Sequence, residues 1–165
     1  MKMIQRILVA FFLILVLASI ESPVHAIDLI AAKSGEVVGS LSLWNQGPYL
    51  YVKYEITNSH WCMTKTYLHL GMSPDQIPQT KSGNPILGRF DYRGLFGPNP
   101  DGNVCGGEYT YKIQLSGYSG TLYIAAYSDL SNRDEHNQDG AWADGVRFSG
   151  DKSARYFAYT FEIPR

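Results

Sequence analysis

The sequence predicts an all-β fold, an antiparallel β-sandwich of about seven or eight strands with a long Pro/Gly-rich connection, and three observations point to it. Apolar residues recur with period two in segments of six to ten residues. Clusters of Gly, Pro, Asn and Ser punctuate those segments at turn spacing. Beyond the N-terminal apolar run, no stretch carries the period of an amphipathic helix. A closed barrel is the alternative arrangement of the same strands. The segment that organises the rest is 121–128, TLYIAAYS, which sets Leu122, Ile124 and Ala126 against Tyr123, Ala125 and Tyr127. A strand apolar on both faces belongs at the centre of a sheet, covered on both sides.

In chain order, residues 27–33 read as a first strand and Ser34-Gly35 as a tight turn. Residues 36–44 place Val37, Leu41 and Leu43 on one face and Ser40, Ser42 and Trp44 on the other. Asn45-Gln46-Gly47-Pro48 is a turn by composition. Residues 49–57 return with Leu50, Val52, Tyr54 and Ile56 inward. After a break at 58–60, residues 61–70 oppose Leu68 and Leu70 to Lys65, Tyr67 and His69. The connection 71–107 holds Pro74, Pro78, Pro85, Pro98 and Pro100 and cannot sustain a regular ladder. Its Ile77, Ile86, Leu87, Phe90, Tyr92, Leu95 and Phe96 are too apolar for a free linker, so it is expected to lie ordered over one end or edge of the sheets. Residues 108–115 form a strand with Tyr109, Tyr111, Ile113 and Leu115 inward. Residues 117–120 turn into the organising strand, and 129–144 follow as an acid-rich connection. A short strand at 146–148, a turn at 149–152 and a closing strand at 155–163, with Phe157, Tyr159, Phe161 and Ile163 inward, complete the chain.

Lys2 and Arg6, an uncharged apolar run over 7–17 and Val24-His25-Ala26 have the order of a signal peptide, residues 1–26. The apolar run is short for the ~20 residues of a spanning helix. The expected product is therefore one domain, 27–165, secreted to an extracellular or periplasmic compartment, with no membrane insertion after cleavage. The formal net charge of the whole chain is −1, and removal of Lys2, Arg6 and Glu21 with the signal leaves −2. Such a balance argues against nucleic acid as a partner, since that requires a basic face. In an oxidising compartment the two cysteines, Cys62 and Cys105, are most simply one disulfide, worth about 4 kcal/mol in the chain-entropy model. Neither has the close Cys or His spacing of a zinc knuckle.

The connection 129–144 gathers Asp129, Asp134, Glu135, Asp139 and Asp144 with Asn132 and Asn137. These are hard oxygen ligands of the kind calcium takes, though their spacing is not that of an EF-hand, and Asp and Asn also cap turns. No cofactor is expected beyond that calcium option. Glu135, Asp139 and Glu108 are the candidate carboxylates for glycoside hydrolysis, which needs two acids facing across a cleft. His60, His69 and His136 are present, but no Ser stands in a nucleophile elbow. Opposite the inward sets, the strands present Trp44, Tyr49, Tyr51, Tyr67, His69, Tyr123, Tyr127 and Tyr156. Such rings suit the stacking of sugars and protein recognition. They equally suit a second core beneath the long connection.

The succession LYVKYEIT, TKTYLHLG, IPQTKSGNPILGRF, EYTYKIQL, LYIAAYSDL, DGAWADGVRF and ARYFAYTF resembles a recurring module of secreted bacterial and fungal proteins. Its motifs are a Leu-His-Val/Leu-Gly strand, a Gly-Asn-Pro-Ile-Pro-Gly-Gln-Phe loop, an Ala-Ala-His-Ala strand and a Glu-Thr-Ala-Trp segment. His69, Gly83, Asn84, Pro85, Gly88, Phe90 and Trp142 match that pattern, whereas Tyr127 stands at its His and Asp139-Gly140 at its Glu-Thr. The resemblance implies a secreted β domain and no established activity. The expectation is a non-catalytic recognition module meeting a carbohydrate or an extracellular protein through the 83–90 and 129–144 loops and through Tyr67, His69, Tyr127, Asp139 and Trp142. A hydrolase of polysaccharide or envelope material, or a purely structural secreted protein, are the alternatives.

Overall fold

The computed structural model describes residues 24–96, 105–135 and 137–161. Most of the expected signal peptide lies outside them, as do Pro98, Asn99, Pro100, Asp101, Asn103, His136 and Ile163. The described chain is almost entirely extended, in ten strands: β1 His25–Ala31, β2 Val37–Gln46, β3 Tyr49–Ile56, β4 Trp61–Gly71, β5 Tyr92–Leu95, β6 Glu108–Gln114, β7 Thr121–Asn132, β8 Gln138–Ala143, β9 Val146–Arg147 and β10 Arg155–Thr160. All pairings are antiparallel. One continuous path runs β5-β4-β7-β8-β1-β2-β3-β6, with β10 beside the first half of β7 and β9 on β10. The all-β antiparallel class is thus as the sequence predicts. The single sheet curls until it is nearly closed, so its form is barrel-like.

β7 is the organising strand. Along one edge it pairs with β4 from Tyr123 to Asn132, and along the other it pairs first with β10 and then with β8. Its inward residues Leu122, Ile124, Ala126 and Leu130 enter the main core with Leu29, Leu41, Leu43, Leu50, Val52, Leu68 and Ile113. A fully buried Leu or Ile is worth ~1.5–3 kcal/mol relative to exposure, so this inner face carries most of the fold. Among the polar groups inside, Thr66 Oγ1 and Tyr111 Oη lie 2.8 Å apart, and the Tyr54 hydroxyl donates to the Tyr67 carbonyl at 2.8 Å. Burial holds the Tyr54 and Tyr111 hydroxyls in their neutral, hydrogen-bonding form, with Tyr111 pushed up to about 12.

The seam lies between the ends of the path, β5 and β6. At one end of it Met63 and Gly106 exchange backbone hydrogen bonds of 2.9 Å each way, and the adjacent Cys62 and Cys105 form a disulfide with Cα atoms 5.5 Å apart. Farther along, rings interdigitate, Phe96 against Tyr109 at 5.6 Å and Tyr92 against Tyr111 at 6.0 Å. Gly94 lies under this stack, where a Cβ would fall 2.6 Å from the Tyr109 ring. The disulfide therefore fastens the place where the sheet meets itself.

Three expectations are corrected. Val37 does not face inward: it is 49% exposed and Val38 takes the buried place, because the β1–β2 ladder shifts register between Leu29 and Ile30. The acid-rich segment is not one long connection. β7 continues to Asn132 and β8 begins at Gln138, which makes a hairpin with only 133–137 between its strands. The described parts of the Pro-rich connection, 71–96 and 105–107, are ordered as expected, with two short 3-10 turns, Pro74–Gln76 and Leu87–Arg89, but 92–95 form a ladder with β4 that the prolines were not expected to allow. Leu95 is its exception, 71% exposed on the edge strand.

Candidate functional site

Register brings part of the expected site together. Tyr67 of β4 pairs with Tyr127 of β7, and Tyr127 pairs with Trp142 of β8, so three of the five residues form one row on the outer face. Arg93 of β5 and Ile30 of β1 extend the row at its two ends. Adjacent ring centroids are 5.9 Å apart for Tyr67 and Tyr127 and 4.8 Å for Tyr127 and Trp142. Gly140, diagonal to Tyr127, makes the row possible: a Cβ there would stand 2.0 Å from the Tyr127 hydroxyl oxygen.

The row is only partly open. Ile77, Leu87 and Phe90 of the Pro-rich connection fold over this half of the sheet, and Phe148 and Ala154 close from the other side. With Ala125, Tyr123 and Tyr156 they form a second core in which Trp142 is 4% exposed. Trp142 is consequently a packing residue, shielded by Tyr127 and Phe148, and not a surface contact. His69, 7% exposed, packs its ring 5.7 Å from that of Phe90. Its Nε2 lies 3.0 Å from the Gln76 carbonyl, and its Nδ1 lies 3.1 Å from Asp91 Oδ2 without making a hydrogen bond. Through Gln76, His69 ties the start of the covering connection to β4.

What remains accessible is the polar end of the row. Tyr67 and Tyr127 are half-buried, and the Tyr67 hydroxyl donates to Asp129 Oδ2 at 3.4 Å. Burial first, and then the Asp129 carboxylate, raise the pKa of both hydroxyls above the ordinary tyrosine value; Asp139 adds to the rise at Tyr127. Both phenols are therefore neutral donors at physiological pH, gathered around one carboxylate. Asp139 sits at the margin, accepting from the Gly140 amide at 2.7 Å and from the Lys33 amide at 3.4 Å. Lys33 Nζ donates to the Gln138 carbonyl at 2.5 Å, which draws the β1–β2 turn against the hairpin. Arg93 donates to the Gly88 and Phe90 carbonyls and so anchors the second 3-10 turn beside Tyr67.

Arg93 was not among the expected site residues, and Asp129 and Gly140 were expected only as part of the acid-rich 129–144 segment, Asp129 as an oxygen ligand. For Asp129 the signal was present, since it follows Tyr127 by two positions and so shares its face. The other acids are dispersed over separate partners. Asp134 is paired with His60, Asp144 with Arg155, Glu135 accepts from Asn137 at 2.7 Å, and Glu108 binds Lys53 at 2.8 Å on β6. Asn132 Oδ1 accepts from the Asp134 and Glu135 amides at 2.9 Å, turning the hairpin. Among the described residues, no three His, Cys, Asp or Glu side chains gather as a metal-holding group. No helix among them is long and apolar enough to cross a membrane. The chain matches no family model, no curated protein and no solved structure.

Proposed function

We propose that this protein is an exported, non-catalytic recognition module that takes a polyhydroxylated ligand, a glycan, at the Tyr67–Tyr127–Asp129 rim. The observation carrying the reading is the convergence of the two half-buried tyrosines on the Asp129 carboxylate, which Tyr67 reaches with a 3.4 Å hydrogen bond. A carboxylate offers several acceptor sites, phenols offer donors, and their rings offer apolar faces. That combination suits sugar hydroxyls and the C–H faces between them. The rim is rigid because it stands on β4, β7 and β8 and is backed by the second core, so its order entails little entropy loss on binding. The raised tyrosine pKa values keep both phenols protonated, which favours hydrogen bonding over base or nucleophile roles. Export is supported by the charged, apolar and small-residue order of 1–26 and by the disulfide, which persists in oxidising compartments.

A glycan array and a pull-down from extracellular material, run on wild type and on Asp129→Asn, test this. Glycan binding lost in Asp129→Asn and weakened about tenfold in Tyr67→Phe supports the rim, a tenfold loss corresponding to ~1.4 kcal/mol. No glycan bound by the wild type, or binding unchanged in both variants, refutes it.

A further inference from the structure

The two halves of the outer surface differ. Over β4, β7 and β8 the chain covers its own aromatic residues, whereas over β2, β3 and β6 no described residue does. There the registers set out a regular grid. Trp44 pairs with Tyr51, and Tyr51 with Lys112; one row on, Gln46 pairs with Tyr49, and Tyr49 with Gln114. The Trp44 and Tyr51 rings stack 5.2 Å apart at an interplanar angle of 7°. Lys112 Nζ stands 4.2 Å from the Tyr49 ring centroid and 5.9 Å from that of Tyr51. Trp44, Tyr49 and Tyr51 are partly exposed, and Gln46, Lys112 and Gln114 are exposed around them.

Charge distinguishes this face from an ordinary aromatic surface. Lys53, one row below Tyr51, is paired with Glu108 at 2.8 Å and with Glu55 at 3.7 Å. No carboxylate among the described residues lies within ion-pair distance of Lys112. Its ammonium has three N–H donors, and the flanking rings accept through their π faces only. The face therefore combines apolar ring surface, two neutral amides and one cation, Lys112, that no carboxylate among the described residues pairs.

We propose that the outer face of β2, β3 and β6 binds an acidic polysaccharide: pyranose rings lie against Trp44, Tyr51 and Tyr49, a sugar carboxylate pairs with Lys112, and Gln46 and Gln114 bond the hydroxyls. A neutral sugar would use the rings and amides but leave the lysine unmatched. An apolar protein partner would bury that charge without a counter-ion, at a cost. This site is independent of the Asp129 rim, whose carboxylate repels an acidic ligand.

Calorimetric titration of the full chain with polygalacturonate, alginate and hyaluronan tests the proposal, with fully methyl-esterified polygalacturonate as the uncharged counterpart. The expected result is binding of at least one uronate polymer, weaker for the ester, and falling with added salt as exposed charge pairing does. Trp44→Ala and Lys112→Gln should each lower affinity about tenfold, equivalent to ~1.4 kcal/mol. Asp129→Asn should change nothing, so this result and that for the rim fail or succeed separately. Lys112→Gln alters only an exposed side chain and keeps the test decisive if Trp44→Ala folds poorly. Binding of none of the three polymers, equal binding of the ester, or affinity indifferent to Lys112→Gln overturns the proposal. So does a dimer in sedimentation that Trp44→Ala dissolves, which would assign the face to a second copy of the chain.

Discussion

Gly140 shows how a single position shapes the outer row. The Tyr127 ring occupies the space a side chain would need, and it cannot retreat because Tyr67 and Trp142 flank it. Gly140→Ala should destabilise the fold by ~1–3 kcal/mol through overpacking, read as a lower denaturation midpoint with an unchanged slope. His60 makes a different kind of prediction. It is exposed on the β3–β4 turn and paired with Asp134, whose hydrogen bond and charge raise its pKa above the ordinary 6.5. With the folded value above the unfolded one, the pair's contribution is fully present below pH 6.5 and is lost as pH rises through the folded value. Proton NMR should place the His60 titration above 6.5, and Asp134→Asn should return it toward that value. Some of this detail was legible in the residues and some was not. That Tyr67 and His69 share a face follows from alternation alone. That Trp142 lies beside Tyr127, and is shielded by it, depends on which strands pair, and spacing along the chain does not encode that.

At the scale of elements, β7 was readable as the central strand because both of its faces are apolar, yet its end was not. Alternation continues through Asp129, Leu130, Ser131 and Asn132, but the outward residues near the open end of the sheet are polar and read as a loop. The Pro-rich connection behaves as its apolar content implies: Ile77, Leu87 and Phe90 become the cover of the second core, and His69 and Arg93 hold it down. The seam carries a prediction of its own. Cys62 and Cys105 span 43 positions and adjoin the Met63–Gly106 bridge. Replacing both with Ser should lower stability by about 4 kcal/mol in the chain-entropy model. Amide exchange should accelerate first at Met63 and Gly106, with the β7–β8 hairpin slower to respond. Equal acceleration throughout the sheet would mean that the bond does not act on the seam.

The molecule as a whole is one curled sheet with an apolar interior and two unlike exteriors. Its class was legible because period two and turn chemistry agree in the segments on either side of the Pro-rich connection. Its closure was not, since a sandwich and a barrel draw on the same alternating strands and differ in which edges meet. Nor did alternation show which outward rings would be covered: Tyr67, Tyr123, Tyr127, Trp44, Tyr49 and Tyr51 follow the same rule, and only the path of the connection separates them. Among the described residues, the 71–96 part of this connection covers the face over β4, β7 and β8 and leaves the face over β2, β3 and β6 open. Acrylamide quenching of single-tryptophan variants tests it most directly, with Trp44 or Trp142 retained and the other two tryptophans replaced by Phe. Trp44 should be readily quenched and Trp142 protected until unfolding; Trp142 quenched as freely as Trp44 in the folded protein would mean that the connection does not cover it.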